Sequence, residues 1–216
     1  VSSSDKNRKM KPDLREIDDI IFDLGGVLLN LDFEAAFKAF RALGLSNRVV
    51  DYKQAYADPV FYELETGKID PPGFRSGVRR LLDNPGITDA EIDDAWCSII
   101  LDIPAKRVRI IQELAKDFNI FLFSNTNAIH VEKMHAEFRA MHGLEFSSLF
   151  VKDFYSHELK ERKPDLSSYE KVIRLSGVNP DKTLFVDDME QNILGAQEAG
   201  LKTFWLKNGM ELSDLF

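Results

Sequence analysis

Four short polar clusters, three of them directly after apolar runs and the third in chain order after a charged loop, hold the side chains best suited to chemistry. They are Asp23 with Leu24-Gly25-Gly26, Ser124-Asn125, Lys163-Pro164, and Asp187-Asp188. Three carboxylates gathered in one cleft repel one another, which calls for a hard cation with oxygen ligands, and Mg2+ is the usual intracellular choice. A phosphate group would share that cation. The metal offsets the charge on the carboxylates and the phosphoryl group, and Lys163 adds a point charge. Backbone N–H groups at Leu24, Gly25, Gly26 and Asn125 can reach oxygens closely. A carboxylate such as Asp23 can then attack phosphorus, forming an aspartyl-phosphate that water hydrolyses. Each cluster also has a plainer reading. An Asp after a strand commonly caps the next helix, Gly-Gly makes a turn, and Lys-Pro punctuates a surface loop. Capping, however, does not require the four to recur in this order at strand ends.

The elements that must position these residues are legible as alternating patterns. Ile17, Ile20, Ile21 and Phe22 read as a buried strand, and 118–123, 183–186 and 202–206 repeat the pattern, the last before Asn208-Gly209. A further strand is expected within 146–154. Apolar spacing near 3.6 residues marks helices between them, as at Val108, Ile111 and Leu114, then Val131, Met134 and Phe138, then 166–176 and 193–199. Pro164 is expected to open the helix over 166–176. The alternation predicts an α/β fold, a doubly wound Rossmann-like parallel sheet whose ligands bind beyond the carboxyl ends of the strands. Residues 32–103 break the rhythm with helical patterns only, which predicts an inserted helical cap domain between core segments 17–31 and 104–216, after a flexible arm over 1–16. Phe33, Phe37, Phe40 and Trp96 read as core of those helices. Glu63, Glu65 and Lys68, polar and near a turn of the insertion, are candidates for choosing a substrate, with a solvated face as the plainer reading.

Composition narrows the function. In 216 residues, 28 Lys and Arg face 36 Asp and Glu, a net charge of -8, opposite to the basic footprint of a nucleic-acid binder. No apolar run approaches the roughly 18 residues of a membrane span. A lone Cys97 cannot form an internal bridge, so the expected setting is the reducing cytoplasm. His130 and His135 are five apart, and His142 and His157 lack ligand-spaced partners, which argues against zinc.

The runs Ile20-Ile21-Phe22-Asp23-Leu24-Gly25-Gly26-Val27-Leu28, Phe121-Leu122-Phe123-Ser124-Asn125, Arg162-Lys163-Pro164-Asp165 and Phe185-Val186-Asp187-Asp188 with Asn192 together resemble, in order, the four motifs of the haloacid dehalogenase superfamily. The likeness is greatest to members with a helical cap, such as sugar-phosphate phosphatases and the phosphatase-like N-terminal domains of epoxide hydrolases. It implies Asp23 as nucleophile, Ser124 as a ligand of a phosphoryl oxygen, and Lys163 bridging phosphate and nucleophile. Mg2+ would be held by Asp23, the Gly25 carbonyl, Asp188 directly and Asp187 nearby. The implied activity is hydrolysis of a small phosphorylated metabolite, with a sugar phosphate the expected kind. One position departs from the pattern. Most phosphatases of the superfamily carry an acid two residues after the nucleophile, and here that position is Gly25. General acid-base assistance is typically worth about 10² to 10⁴ in rate. An inactive or regulatory binder is therefore one alternative, and a metal-independent carbon-halogen hydrolase, which Asp187-Asp188 speaks against, is another.

Overall fold

The computed structural model describes residues 12–46, 49–207 and 209–216, so residues 1–11 of the expected arm and Asn208 of the expected turn lie outside it. Five strands, β1 (Asp19–Phe22), β2 (Asn119–Ser124), β3 (Lys152–Tyr155), β4 (Thr183–Asp187) and β5 (Lys202–Trp205), form one sheet in the order β3-β2-β1-β4-β5. Every pairing is parallel, with Phe22 opposite Leu122 on one side and Val186 on the other. The expected strand within 146–154 is shorter than its apolar pattern. Phe146–Leu149 forms a 3-10 turn whose buried Phe146 and Leu149 pack against the core, and only Lys152–Tyr155 pairs.

The alternation of side chains along a strand divides the apolar residues between two faces. Ile20, Phe22, Ile120, Leu122, Leu184 and Val186 pack with Val108, Ile111 and Leu114 of α6 (Ala105–Leu114) and Met134 and Phe138 of α7 (Ala128–His142), which lie on one face. Ile21, Phe121, Phe123 and Phe185 meet Tyr169 and Val172 of α9 (Leu166–Ser176) and Ile193 and Ala196 of α10 (Glu190–Glu198) on the other. The strands read as continuous apolar runs because both faces are covered. A short helix, α8 (Ser156–Leu159), follows β3.

Between β1 and α6 the chain forms α1 (Phe33–Ala42), α2 (Tyr52–Ala55), α3 (Pro59–Glu65), α4 (Pro71–Leu81) and α5 (Asp89–Cys97). All five start on a side-chain cap, Asp32, Asp51, Asp58, Asp70 and Thr88 respectively, each worth about 1 kcal/mol. Four acids of the chain's surplus thus serve helix ends. Phe37, Phe40, Phe61, Leu64, Phe74 and Trp96 form a separate apolar cluster there, joined by Ile129 from α7. Phe33 departs from the expectation of a core residue. It is 40% exposed, because it sits at the first position of α1 and turns toward a cavity rather than the cluster. The chain enters and leaves this block side by side: Leu31 pairs antiparallel with Ile100, and Asn30 and Asp102 exchange main-chain contacts with the opposite stem.

Candidate active site

The carboxyl ends of β1, β2 and β4 bring the expected residues together. Asp23 leaves β1 with its N–H donated to the Val186 carbonyl (2.9 Å), which fixes its backbone to the neighbouring strand. Lys163 reaches the same point from the loop before α9 and is 1% exposed. Its ammonium donates to Asp23 Oδ1 (2.7 Å), Asp187 Oδ2 (2.7 Å) and the Phe123 carbonyl (2.9 Å), so all three protons are used. Burial opposes its charge, yet the Asp187 and Asp23 carboxylates outweigh that and hold the ammonium above its ordinary range. Phe123 and Phe185 rings lie about 5 Å from Nζ on the flanks, where they add cation–π attraction.

Asp23 shows the reverse balance. Burial pushes its carboxyl up to about 7, Lys163 pulls it down, and Asp187 and Asp188 add to the rise. Asp188, raised to about 6 by burial and by Asp187, has the more open carboxyl of the acidic pair. Asp187 is fully buried, and its oxygens are occupied by Lys163, the Asn192 amide (3.0 and 3.1 Å) and the Met189 N–H (2.8 Å). Neither acid is the N-cap of α10, which is Met189. Ligand atoms of Asp23, Asp187 and Asp188 all lie within 4.8 Å of one another, a spacing and an all-oxygen donor set that fit a hard divalent cation. The Gly25 carbonyl accepts no hydrogen bond among the described residues.

The turns after β1 and β2 present main-chain groups to this cluster. Among the described residues the N–H groups of Leu24, Gly25 and Asn125 donate to no protein acceptor. Gly26 differs from expectation: its N–H is spent on the Leu29 carbonyl (2.9 Å), closing the turn after β1. Its φ of 73° and the Asp188 carboxylate against its Cα are what require glycine. Gly25 carries no such backbone demand, and a Cβ there would meet only Leu31 Cδ1 at 2.8 Å. Ser124, 3% exposed at the end of β2, lines the adjoining cavity. Asn125 does more than its backbone suggested. Its side chain accepts from Lys163 N–H (2.9 Å) and donates to the Lys163 carbonyl (2.8 Å), clamping the lysine's main chain. Pro164 does not open α9, as expected from sequence. It follows a cis Lys163-Pro164 bond and precedes the N-cap, Asp165, so the turn rather than the helix uses its ring.

A cavity of about 640 Å³ opens beside this cluster, between the strand ends and the helical block. Leu24, Gly25, Ser124 and Asn125 form its floor, and Phe33, Tyr62 and Trp96 lie on its walls. Glu65 is not a solvated residue. It lines the cavity in an ion pair with Arg162 (2.6 Å), while Lys68 is exposed and sits 4.9 Å over the Tyr62 ring. His130 is stacked on Trp96 (ring centroids 4.4 Å) and bonded to its carbonyl, and burial lowers its pKa to about 4. His135, His142 and His157 each spend a ring nitrogen on a separate protein partner. The Phe123 carbonyl and the Glu65–Arg162 pair were beyond sequence reasoning, since a main-chain acceptor has no residue signature and the pair joins positions 97 apart.

The model of haloacid dehalogenase-like hydrolases matches residues 17–200. D-ribitol-5-phosphate phosphatase of Bacteroides thetaiotaomicron is 30% identical over 195 residues, spanning 90% of this chain and 94% of that one. The sesquiterpene phosphatase astK of Aspergillus oryzae is 26% identical over 194 residues, with 84% and 85% covered. Among solved structures, a HAD family enzyme of B. thetaiotaomicron in complex with magnesium and inorganic phosphate superposes with a TM-score of 0.82 at 33% identity, covering 93% of this chain and 99% of that one. The order of motifs, the sheet that gathers them and a family match running from β1 to the end of α10 agree: this chain belongs to the haloacid dehalogenase-like hydrolases and is a hydrolytic enzyme.

Proposed function

We propose that the chain is a Mg2+-dependent phosphomonoesterase of small phosphorylated metabolites, with a sugar or sugar-alcohol phosphate as substrate and an aspartyl-phosphate on Asp23 as intermediate. The observation that carries this reading is the Lys163 ammonium, held between Asp23 and Asp187 with Asp188 within metal-sharing distance. The D-ribitol-5-phosphate phosphatase and the magnesium and phosphate complex among the relatives support the substrate class and the ion.

In this reading Lys163 occupies Asp23 Oδ1 and leaves Oδ2, which has no partner among the described residues, to attack phosphorus. The new Oδ2–P bond forms as the ester P–O bond breaks, and the departing alkoxide takes a proton from solvent water, since Gly25 carries no acid. Water then cleaves the acyl phosphate, releasing inorganic phosphate and restoring the carboxylate. Ser124 and the N–H groups of Leu24, Gly25 and Asn125 would hold the phosphoryl oxygens. Asp23, Asp188 and the Gly25 carbonyl would hold Mg2+, with Asp187 orienting Lys163 beside them. Bound there, Mg2+ supplies positive charge against the charge developing on the phosphoryl group. The helical block over 32–103 serves as a cap that covers the cavity and excludes water. Among the described residues no helix is long and apolar enough to cross a membrane, and the buried free thiol of Cys97 fits a cytoplasmic setting.

Phosphate release from D-ribitol 5-phosphate tests the reading. Turnover should need Mg2+ and vanish in Asp23→Asn with the fold retained by circular dichroism. Turnover that survives Asp23→Asn rules out the covalent route, and none by wild-type protein favours the alternative of a non-catalytic binder, which Gly25 would suit.

A further inference from the structure

The cavity beside Asp23 is walled mostly by aliphatic and aromatic side chains, and among the described residues that line it only Glu65 and Arg162 are charged, His130 being neutral. They are joined by Arg162 Nη1 to Glu65 Oε2 (2.6 Å), with 24% and 27% of the Glu65 and Arg162 side chains exposed. The contact consumes one atom of each. Among the described residues Glu65 Oε1 and Arg162 Nη2 have no partner, so an acceptor and a two-proton donor stand side by side on the wall. Both are anchored. Glu65 ends α3, while Arg162 donates Nε to the Lys163 carbonyl (3.3 Å) and lies 5.6 Å from the Tyr62 ring. Arg162 also immediately precedes the lysine that holds the nucleophile. The pair is therefore tied to the reacting centre from one side and to the helical block from the other.

We propose that Glu65 and Arg162 select the leaving group of the substrate, binding the hydroxyls of a sugar or sugar-alcohol portion through Glu65 Oε1 and Arg162 Nη2. This inference rests on the phosphatase reading above and names the contact that sets its specificity. A hydroxyl both donates and accepts, so it matches the juxtaposed carboxylate and guanidinium, and adjacent hydroxyls can engage both at once. The carbon frame of such a molecule lies against the rings of Phe33, Tyr62 and Trp96. A leaving group without hydroxyls fills the same space but leaves two charged groups facing hydrocarbon, an arrangement that disfavours it.

The test compares kcat/KM for D-ribitol 5-phosphate and phenyl phosphate in wild-type protein, in Glu65→Leu/Arg162→Met, and in Glu65→Gln. The double variant removes both charges and leaves none unpaired. Glu65→Gln is nearly isosteric and serves if the double variant does not fold. The preference for the polyol ester should fall about 10- to 100-fold in the double variant, the range for charge-assisted hydrogen bonds, and about 3- to 10-fold in Glu65→Gln. Rates for the two esters falling in parallel, so that the ratio holds, would show a merely structural pair and overturn the proposal. So would wild-type protein that cleaves phenyl phosphate with no preference for the polyol ester, and there the phosphatase reading would stand. Wild-type protein inert toward both esters with Mg2+ present overturns the two together.

Discussion

Replacing Lys163 by Met removes one charge from the most enclosed part of the molecule. The side chains are close in volume, so no cavity opens, and the effect isolates the ammonium. Its loss strands the Asp23 and Asp187 carboxylates, each 2.7 Å from Nζ, together with the Phe123 carbonyl. Lys163 and Asp187 are fully enclosed and the Asp23 side chain is 11% exposed, so solvent cannot replace the lost partner. Breaking a buried pair by removing one member costs about 3–5 kcal/mol. At this chain length that lowers the thermal midpoint by about 6–20 °C. The loss depends on pH in a known direction. Asp23 already titrates near 7, and without Lys163, the strongest influence lowering it, its folded pKa rises further above the unfolded value. The folded variant then binds a proton the unfolded chain releases, so its stability is greatest in acid and declines as pH rises through neutrality. Urea unfolding at pH 5.5 and pH 8 without divalent ions measures both effects. A loss below about 1 kcal/mol at pH 8, or a loss that grows on acidification, would refute the view that this ammonium holds the carboxylates together.

The proposed metal site carries its own pH dependence. Asp23 and Asp188, at about 7 and about 6, are raised above their ordinary 3.8, so Mg2+ must displace their protons. Calorimetric affinity for Mg2+ should therefore weaken as pH falls through 7 and then 6, and proton release should appear as a buffer-dependent heat; a flat profile from pH 5 to 8 excludes these acids as ligands. Gly26→Ala places a methyl group against the Asp188 carboxylate on a backbone of φ 73°, and should reduce Mg2+ affinity tenfold or more in the same titration, about 1.4 kcal/mol. The Cβ added by Gly25→Asp meets only the flexible end of Leu31, and the variant should fold. It should also flatten the dependence of turnover on leaving-group pKa, measured over a series of aryl and alkyl phosphates, with no change counting against a role for the missing acid.

The strands were legible because both faces of the sheet are covered, so β1, β2 and β4 appear as unbroken apolar runs ended by Asp23, Ser124 and Asp187. Position at a strand end then gathered the acidic and Ser124-Asn125 candidates, while Lys163 arrives from the loop before α9 and the individual roles came from the resemblance to a family. What sequence could not give depends on contacts across the fold. Asn125 clamps Lys163 through its amide, 38 residues away, and nothing local distinguishes that from a turn residue. Glu65 looked solvated because the helix bearing it is partly exposed, and only the approach of Arg162 and the cavity between the layers changes its surroundings. Phe146–Leu149 had a strand's composition, but its buried aromatic and aliphatic side chains fill the core from a 3-10 turn.

The paired stems at Leu31 and Ile100 make the helical block portable. Its two ends are held side by side by three main-chain hydrogen bonds, Asn30 to Asp102, Leu101 to Asn30 and Asp32 to Ile99, at 2.8–3.0 Å. Antiparallel partners sit about 5 Å apart, a gap that a two-residue linker spans. An exchange of everything between the stems asks nothing new of the sheet, whose strands pair only with one another. A library of foreign blocks spliced at 31 and 100 would share one set of strand-end residues beneath different ceilings, provided each block also meets Ile129, His130 and Arg162, the core residues that the present block touches through its apolar cluster, Trp96 and Glu65.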